Sequence, residues 1–166
     1  MASAHGTLTG TAPNLSYTPG ANFNGVDGLT YLVSDGVLQS GPYTLTLHVT
    51  PVNDGPVALA QTVATSEDTA LAITLTGSDI ENDPLDFVVS TPPAHGTITG
   101  SGASFTYTPA PNYFGADSFE FTASDGQIVS APASVDLTIT PINDAPVAAN
   151  LSVTTAEDIA ASVTLV

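Results

Sequence analysis

The chain has 166 residues, 16 of them Asp or Glu, with no Lys, Arg or Cys, which gives a formal net charge of −16 and a pI near 4.1. Neutralising nucleic-acid phosphates or docking on anionic lipid takes Lys or Arg, so both functions are excluded, along with disulfides, thiolate nucleophiles and sulfur-ligated metals. A hydrophobic content of 42% and a mean hydropathy of +0.24 exclude the charge-rich disordered class, and no apolar run approaches the roughly 20 residues of a membrane span.

The opening Met1-Ala2-Ser3-Ala4-His5 has neither the basic nor the hydrophobic part of a signal region, so no address is read in it. From Ala4 onward the chain reads as one copy of something it repeats. Ala4-His5-Gly6-Thr7 recurs as Ala94-His95-Gly96-Thr97, Tyr17-Thr18-Pro19 as Tyr107-Thr108-Pro109, and Ser34-Asp35-Gly36 as Ser124-Asp125-Gly126. Asn53-Asp54 recurs as Asn143-Asp144 and Glu67-Asp68 as Glu157-Asp158, always 90 residues on. Laid on 91–166 without a gap, 1–76 matches at 32 of 76 positions, more than shared composition gives, so the unit is duplicated.

Within one period, apolar residues alternate with Thr, Glu or Asp, as in Leu71, Ile73, Leu75; Phe119, Phe121, Ala123; and Val135, Leu137, Ile139. That period of two marks strands with one face in a core. Gly, Pro, Asn and Asp punctuate the runs, which predicts seven strands near 58–64, 71–76, 85–90, 95–99, 104–108, 117–124 and 131–140. Seven strands in about 90 to 100 residues is the measure of an immunoglobulin-like sandwich, here without the Cys and Trp of antibody domains. With Pro-x-Asn-Asp-x-Pro (Pro51 to Pro56, Pro141 to Pro146) as the joint, 1–53 is the C-terminal half of a unit, 54–143 a complete unit, and 144–166 the N-terminal strands of a third. The chain reads as a slice of a longer array.

These motifs, together with Ser78-Asp79-Ile80-Glu81-Asn82-Asp83-Pro84-Leu85 and Phe114-Gly115-Ala116-Asp117, resemble the cadherin-like tandem repeats of very large bacterial surface or secreted adhesins, over essentially the whole chain. The resemblance implies an all-β rod of tandem immunoglobulin-like (cadherin-like) β-sandwich repeats, outside a bacterial cell, with calcium (Ca2+) at the joints. Carried over residue by residue, it makes Asn53, Asp54, Asn143 and Asp144 linker ligands, and Asp79 and Glu81 an Asp-x-Asp element. It likewise makes Asp125 the acid before a turn glycine, and Glu67, Asp27 and Asp117 acids closing the base of a repeat. Gly55 and Ala145 depart from the pattern, standing where cadherins usually have a second Asn. Because the loop equivalent to Asp79 of a third repeat falls beyond Val166, full coordination is not expected at the second joint.

The chemistry fits that implication. Calcium takes six to eight oxygens from carboxylates, carbonyls and Asn side chains, and modules working outside cells bind it at about 10⁻⁴ to 10⁻³ M. Two carboxylates about 6 Å apart repel by roughly 0.7 kcal/mol in water and by several times more at an effective dielectric of about 20. With no Lys or Arg present, a dication is the simplest reason to cluster them. A single Asp-Gly is an ordinary turn, and only the recurrence argues otherwise.

Other constellations carry less. His5 and His95 precede Gly-Thr equivalently, which fits a strand edge, and His48 falls on the outward phase of its strand. No nucleophile motif or Lys base appears and the acids recur with the repeat, so no enzymatic activity is expected. Thr44, Thr46, Thr138 and Thr140 form an outward row suited to a carbohydrate or ice, but Asp136 interrupts it. The function expected is a calcium-stiffened spacer or adhesion repeat whose partners are neighbouring repeats of its array. The alternatives are a fibre subunit, in which the terminal half-repeats of separate copies complete each other as a homo-oligomer, and a carbohydrate- or ice-binding module.

Overall fold

The computed structural model describes residues 3–164, and every regular element among them is a β-strand. The first four are β1 (Gly6–Thr11), β2 (Asn14–Pro19), β3 (Gly25–Ser34) and β4 (Gln39–Val49). They pair as two separate hairpins, β1 with β2 and β3 with β4.

Nine strands follow: β5 (Val57–Ala58), β6 (Gln61–Ser66), β7 (Leu71–Thr74), β8 (Gly77–Ser78), β9 (Asp86–Thr91), β10 (Gly96–Ser101), β11 (Ser104–Pro109), β12 (Gly115–Ser124) and β13 (Ala133–Thr140). They build a sandwich with β6-β13-β12-β9 in one sheet and β10-β11-β7 in the other. Its first strand changes sheets part way. β5 pairs with β8, and after Leu59-Ala60 the chain runs on as β6, parallel to β13. Counting β5–β6 and β7–β8 as one strand each, all seven predicted strands start within two residues of their expected positions.

Alternation supplies the core. Phe119, Phe121 and Ala123 on β12 and Val135, Leu137 and Ile139 on β13 turn one way, toward Ile73 on β7 and Phe105 and Tyr107 on β11. Phe121, with no exposed surface, contributes roughly 1.5–3 kcal/mol through burial alone.

The four N-terminal strands repeat β10–β13 in register: Gly6 faces Pro19 as Gly96 faces Pro109, and Asp27 faces Leu47 as Asp117 faces Leu137. What they lack is cover. Tyr31 is 38% exposed where its equivalent Phe121 is 0%, Leu45 47% where Val135 is 0%, and Leu15 41% where Phe105 is 8%. Residues 144–164 form no strand and leave Val147, Leu151, Val153 and Val163 exposed.

Candidate metal centre at the first joint

The joint between β4 and β5 gathers oxygen-bearing side chains from three places. Asn53 and Asp54 lie on the connection itself, Asp79 and Glu81 on the loop after β8, and Asp125 on the loop after β12; all five are half-buried. Each loop has a local cause. In Ser124-Asp125-Gly126 the Asp125 Oδ1 accepts the backbone N–H of Gln127 at 2.7 Å and of Ile128 at 2.6 Å, while Gly126 takes a φ of +91°. Such a turn needs a short acid followed by glycine. In the loop after β8, Asp79 Oδ1 accepts the N–H of Asp83 at 3.1 Å around Asn82, which has a φ of 63°.

With one Asp125 oxygen spent on its own turn, Oδ2 accepts the Asn53 Nδ2 amide at 2.7 Å. The Asn53 Oδ1 accepts Gln127 Nε2 at 3.2 Å, and the backbone N–H of Asp54 donates to Glu81 Oε2 at 3.2 Å. The N–H of Ile128, the Asn53 amide and the N–H of Gln127 hold the Asp125 carboxyl below the ordinary range, against the opposing effect of burial. Asp79 Oδ2 differs from all of these, being buried with no hydrogen-bond partner. A buried acceptor without a donor costs about 1–3 kcal/mol, and more if charged. Asp79 lines a groove of about 490 Å³ together with Asn82 and Asp83. The spacing Asp79, Glu81, Asp83 was visible in the sequence, yet Asp83 was not among the expected ligands. Among the described residues, no three acidic or imidazole groups already converge on one ligand-ready point.

The remaining expected ligands lie elsewhere. Asp117 is buried, and its oxygens accept the N–H groups of Ala94 and His95, each at 3.0 Å, of Ser118 at 2.9 Å, and the Tyr107 hydroxyl at 2.8 Å. Burial raises its carboxyl, but the Tyr107 hydroxyl and the three N–H donors outweigh that and hold it low. Desolvation, with the Asp117 charge behind it, pushes the Tyr107 phenol up. Tyr107 stands on one sheet and Asp117 on the other, so the contact clasps the sandwich. The clasp explains Gly96, where a Cβ would come within 2.5 Å of the Tyr107 ring.

The same clasp recurs 90 residues earlier. Asp27 accepts from Ala4, His5 and Gly28 N–H and from the Tyr17 hydroxyl at 2.8 Å. Burial again raises its carboxyl, and the Tyr17 hydroxyl with those three N–H groups brings it down to about 2. With their acceptor sites filled by donors, Asp27 and Asp117 are fasteners between sheets, and the structure does not bring them to the cluster at Asn53.

Glu67 is buried at the far end of the sandwich, accepting the N–H of Ile142 at the entry to the second joint. Asn143 and Asp144 follow it but are exposed, with only Asn143 Nδ2 reaching the Asp144 carbonyl at 3.4 Å. His95 stacks on Tyr113 at 4.2 Å and His5 on Phe23 at 4.5 Å, while their carbonyls accept Ala110 and Gly20 N–H, a strand-edge role in both. His48, Thr44, Thr46, Asp136, Thr138 and Thr140 are exposed.

A family model of the bacterial Ig domain matches residues 1–48 and again 53–138. Domains of this family are generally non-catalytic and typical of extracellular proteins. The integrin beta-like protein A of Dictyostelium discoideum is 32% identical over 127 residues, 66% of this chain; the chain spans 7% of that relative's length. Among solved structures, human mucin-like protocadherin EC1-2 is similar in fold, with a TM-score of 0.51 at 18% identity, covering 82% of this chain and 81% of its own. An endo-fucoidan hydrolase of glycoside hydrolase family 107 matches with a TM-score of 0.46 at 24% identity, over 84% of this chain and 22% of its own. No helix among the described residues is long and apolar enough to cross a membrane.

Proposed function

The chain belongs to the bacterial Ig domain family, and from that premise we propose that it is a non-catalytic spacer of a bacterial extracellular adhesin, stiffened by calcium at its first joint. The observation that carries the reading is the buried Asp79 oxygen without a donor, two residues from Glu81, whose carboxylate is bound to the backbone of Asp54. A cation supplies what a donor does not. The set available is all oxygen: carboxylates of Asp54, Asp79, Glu81 and Asp125 and the amide oxygen of Asn53. That suits a hard cation and gives nothing to a thiophilic one. Four acids with no Lys or Arg in the chain repel one another until a dication offsets them. Bound calcium would draw the connection and both loops to one centre, turning hinged sandwiches into a rod. The adhesion setting is supported by the family's extracellular habit and by the integrin beta-like relative.

Calorimetric titration of the chain with calcium tests this. The expectation is saturable heat with a Kd of about 10⁻⁴ to 10⁻³ M, lost in Asp79→Ala and weakened at least tenfold in Asp54→Ala. Heat unchanged in both variants removes these residues from the site, and no heat in the parent leaves a plain spacer.

A further inference from the structure

The Asn53 side chain meets Asp125 with its nitrogen, not its oxygen. Its Nδ2 donates to Asp125 Oδ2 at 2.7 Å and to the Asp54 carbonyl at 3.3 Å, while its Oδ1 is turned away to accept Gln127 Nε2 at 3.2 Å. That orientation is forced, because an ionised carboxylate only accepts and an amide can offer it only N–H. A metal ion would need the reverse, with the amide oxygen beside the acid. We infer that Asn53 is a latch: its amide closes the ion-free joint by occupying Asp125 Oδ2 in place of a cation, and Gln127 holds it in that direction, so that it must turn over before its oxygen can reach an ion that also holds Asp125. The competition with calcium rests on the function proposed above; the closure of the ion-free joint does not.

The latch accounts for how the acids around it are arranged. Asp125 Oδ1 is spent on its own turn, taking the N–H groups of Gln127 and Ile128, which leaves Oδ2 as the oxygen free to reach across the joint. Asn53 takes it. Glu81 Oε2 is taken in the same way by the N–H of Asp54 at 3.2 Å. Two adjacent linker residues thus each put an N–H on a carboxylate from a different loop, and each N–H brings to its acid part of the positive charge that a cation would bring in full. The buried Asp79 Oδ2 has no such partner. Two of these carboxylates are therefore pinned to the linker, and among the described residues no three acidic or imidazole groups converge on one point.

Packing supports the same closure. A Cβ on Gly55 would come within 2.7 Å of Ile128 Cγ2, so the linker lies directly against the loop after β12. Asp125, Gln127 and Ile128 together grip Asn53 and Gly55, none of them through an ion.

The chain carries its own control for Gln127. Ninety residues earlier, Asp35 Oδ1 takes the N–H of Val37 at 2.9 Å and of Leu38 at 2.8 Å around Gly36, whose φ is +95° against +91° at Gly126. The turn therefore forms with valine where the central repeat has glutamine. Gln127 is exposed, and its side chain donates to Asn53. Replacing it leaves every acid in place and frees the amide to turn. One ordinary hydrogen bond shifts such a balance by a factor of about two to ten, so its loss should tighten calcium binding. A residue that merely shaped the site would loosen it.

Nitrogen relaxation of the linker in EDTA and calorimetric titration with calcium test this in the 166-residue chain. In EDTA the backbone of residues 52–55 should be as ordered as the strands, with an order parameter of about 0.85, and should fall below about 0.6 in Asn53→Ala. Gln127→Val should keep the turn and the melting temperature of the parent but bind calcium about two to ten times more tightly. A linker as ordered in Asn53→Ala as in the parent, or mobile in the parent itself, overturns the latch whatever calcium does. Equal or weaker calcium binding in Gln127→Val overturns the competition while the calcium reading stands. No heat in the parent overturns the calcium reading and the competition with it, and the order of the linker in EDTA then decides the latch alone.

Discussion

The N-terminal strands and the central sandwich hold the same hairpins in the same register, yet only one of them has a core. Tyr17 and Tyr107 both reach their aspartates at 2.8 Å, and His5 and His95 stack on the equivalent rings of Phe23 and Tyr113. Neighbours in sequence are enough for hairpins, turns and clasps. Burial is different: Leu29 is the one hydrophobic side chain on β1–β4 that is buried, against eight on β10–β13. The difference between the regions is the cover given by β6, β7 and β9, whose residues come from 61 to 91. Local pairing is therefore a property of the repeat motif, while stability is a property of the completed sandwich.

The sharpest way to break that comparison is to remove the same ring from both. Phe121→Ala should destabilise the central sandwich by about 3–5 kcal/mol, because it leaves a cavity among side chains that cannot follow it inward. Tyr31→Ala, at the equivalent exposed position, should cost below about 1 kcal/mol. Urea unfolding of each variant, followed by circular dichroism, measures both. Equal losses would mean that the N-terminal strands have a core of their own.

Alternation made the strands legible. With Leu71, Ile73 and Leu75 on one face and threonine or alanine on the other, a shift by one residue would place the wrong set inside, so the sequence fixes register as well as class. The joint was legible too, because Asn53-Asp54 and Asp79-x-Glu81 are acids and amides with no cation anywhere to pair with. Asp27 and Asp117 were harder. A carboxylate that accepts N–H groups and one that coordinates a metal present the same letter. The distinguishing signal was a tyrosine ten residues earlier and a glycine eleven before that, repeating with the acid. It became readable only once β11 and β12 were seen to lie in opposite sheets. The tail reads as strand yet forms none, since a strand needs a neighbour and none pairs with residues 144–164 among the described residues.

Acid separates the two clasps next. The folded Asp27 carboxyl is held down at about 2 from an ordinary 3.8, and Asp117 is held low as well. A depressed folded value means that the unfolded chain binds protons first. The stabilisation is thus complete above about pH 4 and is lost as pH falls toward 2. Melting temperature of the central sandwich should fall across that window in the parent. Asp117→Asn should start lower and flatten the slope, and Asp27→Asn should leave both unchanged. A slope that follows Asp27 instead would make the N-terminal strands part of the same cooperative unit.

The smallest effect compares the joints that end each region. At ten times its Kd, calcium bound only to the folded state adds about 1.4 kcal/mol of stability. Asn53 and Asp54 are half-buried and tied to Asp125 and Glu81, whereas Asn143 and Asp144 are exposed and reach only each other. The calcium-dependent rise in melting temperature should therefore shrink sharply in Asp54→Asn and survive in Asp144→Asn. A rise that disappears with Asp144 would move the ion to the second joint. There Glu67 is the buried carboxylate at hand, its oxygen already accepting the N–H of Ile142, and the first joint would then be an ordinary hinge held by the Asn53 amide.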